Sequence, residues 1–123
     1  MRSIACIGDL QKLAKRRVPK MFYDYADSGS WSETTYQANE RDLAAIKFRQ
    51  RVALDVSNRS TEMLMLGQKL PMPVALAPTG LTGMQRADGE ILAARAAADF
   101  GVPFTLSTMS ICSIEDVAAN SPE

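Results

Sequence analysis

Helix-start and helix-stop residues divide the first part of the chain into short amphipathic segments. Asp9 can cap the start of a helix that continues with Leu10, and basic residues in its last turn complement the negative end of the helix dipole. Pro19 ends this segment and favours a second helix over Lys20–Asp27, which Ser28-Gly29 stops. The pattern therefore predicts two short helices.

A capping-box spacing predicts a third helix. Ser30 and Glu33 stand three positions apart, with Trp31 between them, and the helix that they open runs to about Ile46. Three short helices thus precede anything strand-like. The sequence predicts a helical lead-in over residues 1–47.

From residue 48 the pattern changes to short extended pieces around turn residues. Val52–Val56 and Glu62–Leu66 have the composition of strands. Gly67-Gln68 follows the second piece as a turn, so the sequence predicts a small β-hairpin within residues 48–71. The methionines of this region are expected to pack against neighbours rather than to bind a ligand.

The second half of the chain alternates apolar strands with helices. Val74–Ala77 is wholly apolar, as expected for a parallel strand that is buried on both faces. Glu90–Phe100 is an alanine-rich helix that Gly101 stops, Pro103–Leu106 is the next predicted strand, and Ser113 begins another helix. This order predicts a parallel α/β architecture.

Residues 72–123 contain only two of these strand-helix units. Two parallel strands neither close a barrel nor cover a sheet, and a complete (β/α)8 barrel takes ~250 residues. The chain is therefore interpreted as a fragment, or as the truncated product of a longer reading frame.

The charge balance and the absence of histidine exclude several classes of function. The 123 residues include 14 Lys+Arg, 14 Asp+Glu and no histidine, so the net charge is zero. This argues against a nucleic-acid partner, which requires a surplus of basic residues on one surface. Without imidazole the chain also lacks the usual general base, the usual zinc ligand and the Ser-His and Cys-His nucleophilic pairs. No metal site is predicted.

The cysteines and the apolar runs limit the cellular context. Cys6 and Cys112 are widely separated, and both are expected to be reduced and packed. The apolar runs are far shorter than the ~20 residues of a membrane-spanning helix. The basic residues 1–20 lack an apolar region behind them and so do not form a secretory signal. A mitochondrial presequence is harder to dismiss, but a plain helix is the favoured interpretation.

Small polar residues follow both predicted strands. Ligands of parallel α/β proteins bind at the carboxyl ends of the strands, which directs attention to Pro78–Gly83 and Ser107–Ser110. Gly80 would let a flat ligand approach the backbone closely, and the hydroxyl groups offer uncharged donors. These features suit a neutral heteroaromatic ring, although ordinary turn chemistry gives the same pattern.

Five segments, in order and with matching spacing, carry a family resemblance. The chain resembles the FMN-dependent α-hydroxy-acid dehydrogenases and oxidases, and most closely the bacterial lactate and mandelate dehydrogenases. The resemblance covers nearly the whole chain. The segments are PKMFYDYADSGS at 19–30, NERDL at 39–43, FRQR at 48–51, MPVALAPTG at 72–80 and FTLSTMS at 104–110.

The resemblance implies a fold and a reaction. The fold is the N-terminal portion of a (β/α)8 TIM barrel, preceded by short helices and a small β-hairpin, with the barrel incomplete in this chain. Residues 1–123 would form part of a single domain: the helical lead-in 1–47, the short β pieces 48–71 and the first two β/α units 72–123. The reaction is FMN-dependent oxidation of an L-2-hydroxy acid, with L-lactate first among the candidates, to the 2-oxo acid.

The resemblance also assigns roles to residues. Tyr25 matches the tyrosine whose hydroxyl binds the substrate carboxylate, whereas Tyr23 is interpreted as an aromatic on a packed helix face. Met109 falls where some relatives carry an aromatic residue over the substrate side chain. No catalytic residue lies in this chain, because the histidine base of the family lies on later strands. The residues that match the flavin site are Pro78, Thr79, Gly80 and Ser107.

Partners and alternatives follow from the same resemblance. It implies a quinone, another carrier or oxygen as electron acceptor, a homo-oligomer when full length, and a cytoplasmic enzyme that can associate peripherally with the inner face of the membrane. One alternative is a non-catalytic truncated product or interaction fragment that pairs with a complementary barrel half. Another is a different FMN barrel, such as type 2 isopentenyl-diphosphate isomerase, which Tyr25 disfavours.

Overall fold

The computed structural model describes residues 4–121 and divides the chain into two units, Met1–Asn58 and Arg59–Glu123. The first unit contains three helices: α1 (Ile7–Arg17), α2 (Lys20–Asp27) and α3 (Thr34–Ala45). All three helices were predicted, and α2 has the predicted bounds. Local signals are sufficient here, because Pro19 presets the backbone at the start of α2.

The predicted starts of α1 and α3 are wrong in detail. Cys6 is the N-cap of α1, and Asp9 lies in the first turn, where its carboxylate accepts a hydrogen bond from the Ala5 N–H at 3.2 Å. No capping box forms at α3, because Trp31 and Glu33 have left-handed φ angles of 55° and 57°. The Glu33 carboxylate instead accepts from the Gly29 N–H at 3.0 Å.

Tyr23 packs α2 against α1. Its side chain is 8% exposed, and its hydroxyl donates a hydrogen bond to Asp27. Gln11 of α1 donates to the same carboxylate at 2.6 Å, and the Lys15 ammonium lies 6.0 Å from the centre of the Tyr23 ring. The prediction that Tyr23 serves a packed helix face is confirmed.

Val52–Val56 does not form the predicted strand. Ala53 has a left-handed φ of 56°, and the Asp55 carboxylate accepts from the Ser57 N–H at 2.9 Å. A left-handed residue and a local side-chain turn interrupt an extended backbone, because they redirect its N–H groups.

The second unit opens with the predicted hairpin, but its turn lies one residue earlier than predicted, so that Gln68 belongs to the second strand. Strands β1 (Met63–Met65) and β2 (Gln68–Leu70) pair antiparallel, with Met63 opposite Leu70. Leu66 and Gly67 have φ angles of 51° and 79°, the left-handed pair that a tight two-residue hairpin loop requires.

The two predicted parallel strands appear as a single parallel bridge between Leu76 and Phe104. The Leu76 N–H donates to the Pro103 carbonyl at 2.8 Å, and the Thr105 N–H donates to the Leu76 carbonyl at 3.1 Å. The parallel pairing is confirmed. The predicted burial of residues 74–77 is wrong among the residues that the structure describes, where Val74 is 45% exposed and only Leu76 is half-buried. A closed barrel is not present in the described part of the chain.

Three helices complete the second unit. The short α4 (Thr82–Gln85) occupies the predicted loop and was not expected, whereas α5 (Gly89–Phe100) and α6 (Ile114–Asn120) were. Gly101 ends α5 with a left-handed φ of 67°, and the Ser113 hydroxyl caps α6 by accepting from the Asp116 N–H at 3.0 Å.

Helices α5 and α6 pack against each other. The buried residues of the unit include Ala94, Ala97 and Val117. None of the helices within residues 4–121 combines the length and apolar character needed to span a bilayer.

Candidate functional site

Two loops leave the parallel bridge in the same direction. One loop follows Leu76 and the other follows Phe104. Both leave the same edge, because parallel strands have their carboxyl ends side by side. Ligands bind at this edge in parallel α/β proteins. The loops carry five of the six predicted site residues.

At Gly80 the two loops approach each other closely. A Cβ at Gly80 would lie 3.2 Å from the Met109 Cβ and 3.7 Å from the Ser107 Oγ. The next residue, Leu81, donates its N–H to the Met109 carbonyl at 2.8 Å. The structure therefore brings Gly80 of the first loop together with Ser107 and Met109 of the second loop, which lie 27 and 29 residues further along the chain.

Ser107 organises the turn of the second loop. Its Oγ accepts from the Met109 N–H at 3.1 Å, and its carbonyl accepts from the Ser110 N–H at 3.2 Å. Because Oγ acts as an acceptor in this turn, its own hydrogen can be donated to a bound group. Met109 itself is 61% exposed.

The first loop offers backbone donors. Pro78, Thr79 and Gly80 are exposed. The Thr79 hydroxyl is used within the loop, where it donates to the Ala77 carbonyl at 3.4 Å. The N–H groups of Ala77, Thr79 and Gly80 donate to no acceptor within residues 4–121. They are available to acceptor atoms of a flat polar ligand.

Glu90 connects the loops and was missed from the sequence. Its side chain is 2% exposed, and its Oε1 accepts from the Gly83 N–H at 3.0 Å and from the Ile111 N–H at 3.1 Å. Burial raises the pKa of Glu90, but the hydrogen bonds from Ile111 and Gly83 outweigh it, so the pKa lies below its ordinary value. No sequence signal separates this carboxylate from an ordinary acid in the first turn of a helix.

Two further glycines allow this close packing. A Cβ at Gly83 would lie 2.7 Å from the Ile111 Cβ, and a Cβ at Gly89 would lie 2.8 Å from the Thr82 carbonyl oxygen. Either contact is closer than van der Waals separation allows. Glycine is therefore required for α4 to lie against its neighbours as it does.

Tyr25 lies on α2 in the first unit. Its side chain is 65% exposed, in contrast to the buried Tyr23 two positions earlier. The exposed phenol can donate and accept hydrogen bonds with a ligand.

The described residues contain no cluster of three or more His, Cys, Asp or Glu side chains that could hold a metal ion. Cys6 and Cys112 are both free thiols, as predicted, although Cys6 is exposed rather than packed. Burial and the adjacent Glu90 carboxylate raise the pKa of Cys112.

Comparison with known proteins identifies the family. The family of FMN-dependent dehydrogenases matches residues 14–123. The chain belongs to this family of flavin-dependent oxidoreductases, as its sequence motifs predicted.

The similar curated proteins include L-lactate dehydrogenases. That of Chromohalobacter salexigens is 51% identical over 116 residues, which cover 94% of this chain and 30% of that protein. That of Pseudomonas syringae pv. syringae is 47% identical over 120 residues, which cover 98% of this chain and 32% of that protein. The chain thus spans about a third of the length of these relatives.

Solved structures similar to this chain include two of (S)-mandelate dehydrogenase. A soluble mutant of the membrane-associated (S)-mandelate dehydrogenase from Pseudomonas putida superposes with a TM-score of 0.90 at 38% identity, over 98% of this chain and 34% of that chain. The monotopic membrane protein (S)-mandelate dehydrogenase gives 0.91 at 37% identity, over 98% of this chain and 32% of that chain. The described residues therefore have the fold of the corresponding third of these enzymes.

The loop chemistry fits FMN, the cofactor of the family. The isoalloxazine ring carries acceptor atoms along one edge, and the first loop presents exposed N–H groups that have no acceptor within residues 4–121. Ser107 adds a hydroxyl donor beside Gly80. A charged side chain is absent from the segment 77–80, as suits a neutral ring.

Proposed function

We propose that this chain supplies the N-terminal third of an FMN-dependent L-2-hydroxy-acid dehydrogenase, with L-lactate as the first candidate substrate. The meeting of Gly80 with Ser107 and Met109 at the edge of a parallel bridge carries the proposal. It is supported by the sequence identity of about 50% to L-lactate dehydrogenases over nearly the whole chain.

We infer that the domain is organised as in the family. Residues 1–47 would form the helical lead-in, residues 48–71 the short β pieces and residues 72–123 the first two units of a (β/α)8 barrel. In this arrangement the exposed residues Val74, Ala75 and Ala77 would be covered by further strands and helices. A parallel strand covered on both faces is wholly apolar, as this segment is.

The proposed residue roles follow from position and chemistry. FMN supplies the two-electron acceptor when it is bound. Within the segment Pro78–Gly80, the N–H groups of Thr79 and Gly80 would hold the polar edge of the ring, since fixed dipoles stabilise added electron density without reorganising. Ser107 would donate its hydroxyl to the same edge, and Met109 would pack against the substrate side chain.

Tyr25 would bind the substrate carboxylate through its phenol. Oxidation of the α-carbon also requires a base for the hydroxyl proton, and this chain contains no histidine. We infer that the base is a histidine of the later part of the enzyme, as in the family.

The remaining properties concern the whole enzyme. We propose that it passes electrons to a quinone, another carrier or oxygen, that it assembles as a homo-oligomer, and that it acts in the cytoplasm with peripheral attachment to the membrane. The similar (S)-mandelate dehydrogenase is described as a monotopic membrane protein, which supports the last point.

The matched variants Tyr25→Phe and Tyr23→Phe test the substrate role. In the complete enzyme, Tyr25→Phe should raise the KM for L-2-hydroxy acids by roughly tenfold to a hundredfold, because a hydrogen bond to a charged group is worth about 1.5–3 kcal/mol. Tyr23→Phe should lower stability and leave this KM unchanged, since its hydroxyl binds Asp27. An unchanged KM in Tyr25→Phe would contradict the assignment.

A second candidate is a non-catalytic fragment that pairs with a complementary barrel half. The exposed apolar residues Val74, Ala75 and Ala77 favour it, because unpaired strand edges invite pairing. Sedimentation and flavin titration of the 123-residue chain test this candidate. A folded monomer that binds FMN tightly without a partner would exclude it.

A further inference from the structure

We propose that Glu90 is a positioning residue, which holds the two loops of the flavin site in register through one carboxylate oxygen. The inference rests on the function proposed above. Glu90 is a buried acid of the second unit.

The connectivity makes this role specific. Oε1 of Glu90 accepts from Gly83, three residues after Gly80, and from Ile111, two residues after Met109. Both N–H groups point at the same oxygen, at 3.0 and 3.1 Å. A shift of either loop along the other would therefore lengthen one of these hydrogen bonds.

Helix α5 holds the Glu90 carboxylate in a fixed position. Glu90 lies in the first turn of α5, and the neighbouring Gly89 is also buried. Since α5 packs on α6, the carboxylate is fixed to the core of the second unit rather than to a mobile surface. Its two hydrogen bonds transfer that rigidity to both loops.

The burial of Glu90 requires these contacts. A charged side chain that is 2% exposed is unfavourable unless donors satisfy it. The other oxygen, Oε2, is buried and makes no hydrogen bond within residues 4–121. The two amides on Oε1 are the main compensation for the charge, and the Glu90 N–H and the Cys112 thiol add smaller contributions.

Reach and charge can be separated by substitution. Glu90→Gln keeps the side-chain length and one carbonyl acceptor, so it can still receive both N–H groups. Glu90→Asp keeps the charge but is one methylene shorter and cannot reach both. Glu115 is an exposed acid in the first turn of α6, and Glu115→Gln serves as the matched control.

The test uses the complete enzyme and measures FMN dissociation constants together with amide hydrogen exchange in residues 78–83 and 107–111. Glu90→Asp should weaken FMN binding about tenfold or more and accelerate exchange in both loops, since small misplacements of a site have large effects. Glu90→Gln and Glu115→Gln should stay within about threefold of the unmodified enzyme, because their loops keep their acceptors.

Equal FMN affinity and exchange in Glu90→Asp and the unmodified enzyme would overturn the proposal. A Glu90→Gln variant that is weaker than Glu90→Asp, or that fails to fold, would also overturn it, because charge rather than reach would then matter. An unmodified enzyme that binds no FMN would instead refute the proposed function, and loop exchange would still report on Glu90 in that case.

Discussion

Replacing Gly83 by alanine tests whether α4 and the second loop are packed as closely as the structure indicates. The new methyl carbon would lie 2.7 Å from the Ile111 Cβ and 3.0 Å from both of its γ carbons. The Ile111 Cβ is fixed to the backbone, so a rotamer change cannot relieve the contact. The loop that carries Ser107 and Met109 must move away instead.

The change in the free energy of unfolding of Gly83→Ala is the sum of opposing effects. Alanine within a helix gains about 1 kcal/mol over glycine, whereas overpacking costs about 1–3 kcal/mol. Separation of the loops also weakens the hydrogen bonds of Gly83 and Ile111 to Glu90, each worth about 1 kcal/mol. We expect Gly83→Ala to lower the free energy of unfolding by about 2 kcal/mol, with the packing term dominant.

Urea unfolding followed by circular dichroism provides the measurement, and Gly67→Ala provides the control. Gly67 has a left-handed φ of 79° but no heavy atom within 4 Å of a Cβ, so its substitution adds backbone strain without a clash. It should cost about 1 kcal/mol and leave amide exchange at Ile111 unchanged. If Gly83→Ala is as stable as the unmodified protein, the close packing of α4 is refuted.

Two further predictions concern local interactions. Ser113→Ala removes the N-cap hydrogen bond of α6 and should cost about 1 kcal/mol in urea unfolding, whereas Ser113→Asp should retain most of the stability; equal stability of Ser113→Ala and the unmodified protein would contradict the cap. The hydrogen bond to Asp27, burial and nearby acids raise the pKa of Tyr23 to about 12. The stabilisation that the protonated Tyr23 hydroxyl provides is therefore complete below the ordinary pKa of 10.0 and is lost as pH rises through about 12. Ultraviolet titration should show a tyrosine transition near pH 12 that Tyr23→Phe abolishes, and persistence of that transition in the variant would refute the assignment.

Sequence patterns predicted the elements whose signals are local. Proline at the start of α2, glycine in the hairpin loop and Gly101 after α5 each act through their own backbone conformation, and the structure has all three features where they were expected. The capping box at Ser30 failed because left-handed conformations at Trp31 and Glu33 turn the chain before the helix can begin.

Contacts between distant segments were harder to predict. The small residues after the two strands indicated a ligand edge, and Gly80 does lie against Ser107 and Met109. Glu90 was not identified, since its two donors lie 7 and 21 residues away and only the folded chain shows them on one oxygen. The short α4 was missed for a related reason, because its glycine becomes favourable only through packing against Ile111.

The most direct test of the central claim is the flavin absorbance of the complete enzyme under anaerobic conditions. The proposed function predicts a yellow protein that contains FMN and loses its visible absorbance when L-lactate is added, with D-lactate as the control that leaves it unchanged. Mandelate and glycolate in parallel samples then rank the hydroxy acids. A colourless protein, or bound FMN that no L-2-hydroxy acid reduces, would contradict the account.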